Sequence, residues 1–154
     1  MNLKGRFPGS TVLLGLMVFA SGAGVAAESD ATLLRRVADK AAEIEAELIE
    51  IRRHLHKHPE LSGEEEKTAA LVAEKLRTLG LDVETGVGGH GVVAVLRGGK
   101  PGPVVAYRAD MDAVRTMVVG DAPYKSPVPG VKHVCGHDAH VAIGIGVAEV
   151  LAGL

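Results

Sequence analysis

The densest chemistry in the sequence lies in His133-Val-Cys-Gly-His-Asp-Ala-His140. This stretch holds the chain's one cysteine, with His137 two residues on and Asp138 next to it. A thiolate and an imidazole are the soft and borderline donors that suit zinc. Gly136 lets the backbone turn so that Cys135 and His137 could meet one ion, and Asp138 could orient a ligating imidazole from behind. By spacing alone the pair fits a metal site and fits a buried, inert thiol equally well. Arg108-Ala-Asp-Met-Asp112 closes an apolar run. Carboxylates just past the C-terminal end of a strand lie where open α/β sheets bind ligands, although a strand end meeting solvent reads the same way. His54, His56 and His58 alternate ahead of Pro59. Alternate residues do not share a helix face, so this run reads as the basic end of a helix facing its negative pole.

The elements that must position these groups follow from periodicity. Apolar residues at Leu33, Leu34, Val37, Ala41, Ile44, Leu48 and Ile51 recur three or four apart, which predicts a helix over 32–56 with a solvated charged face, ended by Pro59. In the second helix, Ser62 is expected as cap with Glu65 three residues on, and the stripe Ala69, Val72, Ala73, Leu76, Leu79 stops at Gly80. Strands are expected over 81–84, 92–96 and 104–107, and their apolar continuity suggests burial on both faces. The turn Gly98-Gly-Lys-Pro-Gly-Pro103 separates the last two. The Ala/Gly/Val-rich segment 138–151 reads as a buried helix. The order is that of an α/β sheet flanked by helices.

Composition narrows the function classes. The chain has 154 residues, 17 Lys+Arg against 19 Asp+Glu, and 47% hydrophobic residues. At roughly 100–200 residues per domain it holds one domain at most. Its near-neutral charge gives no support to a nucleic-acid partner. A single cysteine excludes an internal disulfide framework. Residues 1–27 contain no acid; they run from Lys4 and Arg6 through an apolar stretch to Val25-Ala-Ala27. That is the order of a secretory signal peptide, too short in its apolar part to span a bilayer. The expected organisation is a signal peptide over 1–27, then 28–154 as the working part. The product would be exported to the periplasm or outside the cell, with no stable membrane anchor after processing.

Taken together, His56-Lys-His-Pro-Glu-Leu-Ser62 with Glu65 and Thr68, Gly91-Val-Val-Ala94, Arg108-Ala-Asp-Met-Asp-Ala113 and Gly130-Val-Lys-His-Val-Cys-Gly-His-Asp-Ala-His140 resemble the amidohydrolase branch of the zinc metallopeptidases. Its members include hippurate hydrolases, N-acyl-amino-acid amidohydrolases and auxin-conjugate hydrolases. The resemblance covers roughly residues 45–154 and implies the N-terminal part of a zinc-exopeptidase-like α/β catalytic domain, without the family's lid or dimerisation domain, through which a homodimer would form. It implies two divalent ions per complete site (zinc, manganese or cobalt), acting on the amide bond of an acyl-amino acid or small peptide. By motif match, Cys135 and His137 correspond to metal ligands. Asp112 is the candidate catalytic carboxylate, while Asp110, Asp138 and His140 line or support the site. The family's general-base glutamate is expected outside this chain, so that 28–154 alone is expected to be inactive.

The match has departures. The family commonly continues the Asp-Met-Asp-Ala motif with Leu-Pro-Ile and an acid, where this chain reads Val114-Arg-Thr-Met-Val-Val-Gly120. His90 and Lys132 also replace the usual residue types. A truncated non-catalytic product that keeps metal affinity, and a carboxypeptidase-type relative, are the competing readings.

Overall fold

The longest element of the computed structural model, which describes residues 29–117 and 120–154, is helix α1, Asp30–Lys57. The Ser29 hydroxyl caps it by accepting the Thr32 N–H at 3.3 Å, the role for which serine is favoured. Its apolar period places Ile44, Ile51 and Leu55 in the core. Its outer face carries exposed pairs such as Arg35–Asp39 and Arg53–Glu50, which contribute little to stability. The expected signal peptide lies outside the described residues.

Helix α2, Glu66–Thr78, begins differently from the sequence expectation. Ser62 is exposed and does not cap it, and the Glu65 carboxylate turns back to accept the Gly63 N–H at 2.8 Å. The cap is Glu60. Its carboxylate accepts the Lys67 and Thr68 N–H groups at 3.1 and 2.8 Å and the Thr68 hydroxyl at 2.9 Å. The turn at 61–64, closed by Glu64 N–H to Leu61 C=O with Gly63 at φ +82°, carries the chain back so that Glu60 overhangs the helix start. A carboxylate there satisfies two orphan donors and faces the positive end of the dipole, where a hydroxyl would satisfy one. Gly80, at φ +81°, ends α2 as expected.

Strands β1, Asp82–Val87, and β2, Gly91–Val95, form an antiparallel hairpin with Asp82 opposite Val95 and Thr85 opposite Val92. Only one face is covered, by α2, and Val93 and Val95 stay exposed. Burial on both faces therefore does not occur, because a two-stranded antiparallel layer has one helix to cover it. The third expected strand does not form. Residues 104–107 pair with no described strand, and Val104 and Val105 are 98% and 86% exposed. Apolar continuity marks a segment that can enter a sheet, but a strand requires a partner beside it.

Beyond that segment the chain rejoins the fold. The Ala113 N–H donates to the Glu60 carbonyl at 2.7 Å, beside a parallel bridge between Leu61 and Ala113. Short strands β3, Val114–Arg115, and β4, Val131–Lys132, pair antiparallel. Helix α3, His137–Ala152, follows. It buries one face rather than its whole circumference, since Ile143 and Leu151 are exposed. Val141, Ala142 and Ile145 pack with Ile51 and Leu55 of α1, and Leu48, Leu71, Val72 and Met111 close around them. Burying a leucine such as Leu55 stabilises by about 1.5–3 kcal/mol. Gly146 permits the close approach, for a Cβ there would fall 2.6 Å from Leu48 Cδ1.

Candidate metal site

The α1–α3 packing and the 108–113 segment converge on the N-terminal end of α3. Strand β4 feeds residues 133–136 into that helix, and Gly136 stands at its N-cap with φ +82° and no side-chain cap. Val134, Cys135 and Gly136 are exposed, whereas His133 before them and Asp138 after them are buried. The exposed thiol removes the reading of Cys135 as a buried, inert cysteine.

His137 is oriented by Asp112. Its Nδ1 lies 2.9 Å from Asp112 Oδ1 and 3.0 Å from the Asp112 carbonyl oxygen. A carbonyl oxygen only accepts, so Nδ1 carries the hydrogen. In the neutral ring, Nε2 then keeps its lone pair as a donor to a metal. Asp110 faces a different partner. The Arg108 guanidinium donates to Oδ1 through Nε at 3.0 Å and Nη2 at 2.7 Å, and these hydrogen bonds hold the Asp110 carboxyl below the usual range. The Asp110 N–H donates to His140 Nδ1 at 3.2 Å, and Asp110 Oδ2 lies 3.6 Å from the same nitrogen. Asp110 and His140 thus form a second polar pair beside the first.

Asp138 does not orient His137. Its side chain is 1% exposed and turns to α1, where Oδ2 accepts from His56 Nδ1 at 2.8 Å and from Arg52 Nε at 3.2 Å. Tyr124 packs edge-on to the His56 ring, with centroids 5.3 Å apart, and under the guanidinium groups of Arg52 and Arg53. His133 is 5% exposed with its ring 6.5 Å from that of His56. Burial pushes its imidazole below the ordinary value, against the opposing charge of Asp138. Of the three alternate histidines, His54 and His58 stack at 4.4 Å on the helix end, and His56 alone enters this cluster.

Among the described residues, no group of three or more His, Cys, Asp or Glu side chains gathers as a metal cage. The donor set that suits a divalent ion is the exposed Cys135 Sγ with the oriented His137 Nε2, a partial set, because zinc sites take three or four protein donors. Sequence reasoning missed Arg52, and it named His56 and Glu60 without the roles they take here. A buried acid beside the Cys-Gly-His turn requires a cationic partner, and that requirement was the signal that could have pointed to α1.

Known proteins are similar to this chain in sequence and in fold. Residues 106–154 match Peptidase family M20/M25/M40. The thermostable carboxypeptidase 2 of Saccharolobus solfataricus is 50% identical over 120 residues, which cover 77% of this chain and 30% of that protein. The N-acyl-L-amino acid amidohydrolase of Geobacillus stearothermophilus is 43% identical over 121 residues, 79% of this chain and 32% of that one. The crystal structure of the Bacillus subtilis YXEP protein, described as a dinuclear metal binding peptidase from the M20 family, superposes with a TM-score of 0.68 at 37% identity, covering 73% of this chain and 32% of the other. Residues 106–154 are thus similar to Peptidase family M20/M25/M40, and the chain's helices and small sheets are similar to part of the fold of a solved member. The chain spans about a third of the length of these relatives.

Proposed function

We propose that the intact protein is a metal-dependent hydrolase that cleaves the amide bond of N-acyl amino acids or small peptides, and that this chain supplies one flank of its site. The observation that carries the reading is the His137 ring, held by Asp112 with Nε2 free, one glycine away from an exposed thiol. Cys135 and His137 would hold a divalent ion. When bound, such ions polarise a carbonyl oxygen and make water a nucleophile near neutral pH. The chain's own contribution is to fix the tautomer of His137, to keep Asp110 ionised beside Arg108, and to present both candidate ligands at a helix start. The general-base glutamate and the remaining ligands belong to parts of the protein outside this chain. Relatives named for carboxypeptidase and for amidohydrolase activity leave two substrate classes, acyl-amino acids and peptides.

The test is to strip the intact protein of metal, reload it with zinc, manganese or cobalt, and assay N-benzoylglycine, N-acetyl amino acids and dipeptides. Metal-dependent release of the free amino acid is expected. Equal turnover with and without metal would overturn the reading. Residues 28–154 by themselves, treated identically, are expected to show no turnover, since two donors hold an ion weakly.

Export belongs to the same proposal. The basic, apolar and small-residue order of 1–27 supports removal of the leader after Ala27. The intact mass of protein from the extracytoplasmic fraction should then correspond to a chain starting at Glu28. A membrane-held species starting at Met1 is the contrary result.

A further inference from the structure

A carboxylate in the first turn of a helix gains from the dipole while fully solvated. Asp138 stands in the first turn of α3, yet it is 1% exposed and reaches across to another helix. Burying that charge is costly unless it is paired. Arg52 and His56, both in the last two turns of α1, pair with its Oδ2. The pairing therefore ties the end of α1 to the start of α3 immediately beside His137. The turn that it anchors has little else to hold it. Gly136 adopts a left-handed conformation and offers no side-chain cap, and Val134, Cys135 and Gly136 face solvent. Only the flanks of the turn are buried. His133 lies on one side with both ring nitrogens without a partner, and Asp138 on the other with Oδ1 equally unpaired.

We propose that Asp138 is a positioning residue. Its buried carboxylate, clamped by Arg52 and His56, sets the geometry between Cys135 Sγ and His137 Nε2 without touching either. Asp112 fixes the rotation of the His137 ring, and Asp138 fixes where the backbone carrying that ring sits. The inference rests on the metal-site reading above and adds to it a set of residues on α1, remote in sequence, on which metal affinity depends.

The test titrates the metal-free intact protein with cobalt(II) and follows the thiolate-to-cobalt charge-transfer absorption and the ligand-field bands. Asp138→Asn keeps the volume and removes the charge. It is expected to weaken cobalt binding by about 10–100-fold, the range for losing a group that supports metal ligands, and to shift the ligand-field bands. Arg52→Gln alters a partly exposed residue of α1 and should move affinity in the same direction. Combined with Asp138→Asn it should add little, because both act through one contact. If Asp138→Asn lowers the melting temperature while cobalt affinity and spectrum stay at wild-type values, the positioning role is overturned. If Asp138→Asn does not fold, Arg52→Gln decides, with a weakened, shifted spectrum in support and an unchanged one against. A wild-type protein with no thiolate band that Cys135→Ala removes would overturn the metal-site reading and this inference with it. A wild-type band left unchanged by Asp138→Asn overturns this inference alone.

Discussion

Cys135→Ala in the intact protein is expected to remove bound metal and hydrolysis together. The loss should exceed the ~10–100-fold associated with losing a group that only supports a ligand. The thiol is exposed and free of any disulfide, so its truncation leaves no cavity and should cost little stability. A fall in activity with an unchanged melting temperature would then report on ligation rather than on folding. The protonation balance gives an independent check. A ligating thiol must lose its proton, so metal uptake should release protons to a weakly buffered solution and affinity should fall as the pH is lowered. In Cys135→Ala that proton release should shrink. An exposed, unligated thiol in an oxidising compartment is open to oxidation, so bound metal should also protect Cys135 from alkylation in the wild-type protein. Unchanged metal stoichiometry and turnover in Cys135→Ala would refute the assignment.

What could be read in the sequence was what depends on neighbours along the chain. The first two helices follow from apolar spacing and the third from its Ala/Gly/Val-rich composition, Gly80 from its place after the α2 stripe, and the Cys135–His137 turn from the glycine between them. What could not be read depends on segments far apart. The cap of α2 comes from Glu60 rather than Ser62, because the 61–64 turn folds the chain back on itself. Residues 104–107 have the composition of a strand, but composition says nothing of who stands beside them, and no described strand does. In the site, the type of each candidate ligand was legible and the pairing was not. Asp112 and Asp138 are both carboxylates near the Cys-Gly-His turn, and sequence offers no means to tell which one His137 meets. The fold decides it. The Ala113 N–H bonds the Glu60 carbonyl, and the neighbouring Asp112 meets His137. Arg52 and His56 of α1 engage Asp138 instead.

That division of labour makes Asp112 the residue whose substitution separates orientation from chemistry. Its Oδ1 lies 2.9 Å from His137 Nδ1, and its own carbonyl oxygen lies 3.0 Å from the same nitrogen. Asp112→Ala removes the carboxylate but keeps the carbonyl, so Nδ1 keeps one acceptor and the tautomer stays partly fixed. The expected loss of metal affinity is therefore at the lower end of the range for such partners, about 10-fold, with activity falling in proportion at limiting metal and largely recovering at saturating metal. Asp112→Asn keeps an oxygen that can accept from Nδ1 and should retain more affinity than Asp112→Ala. If Asp112 instead moves a proton in the reaction, the signature differs. Metal affinity would stay at the wild-type value, kcat would fall at saturating metal with KM little changed, and Asp112→Asn would be as impaired as Asp112→Ala, because neither side chain can take up a proton near neutral pH. Measuring metal affinity and kcat for both variants distinguishes the two roles. The geometry around His137 points to the first result, since the carboxylate's Oδ1 is already engaged with the ring.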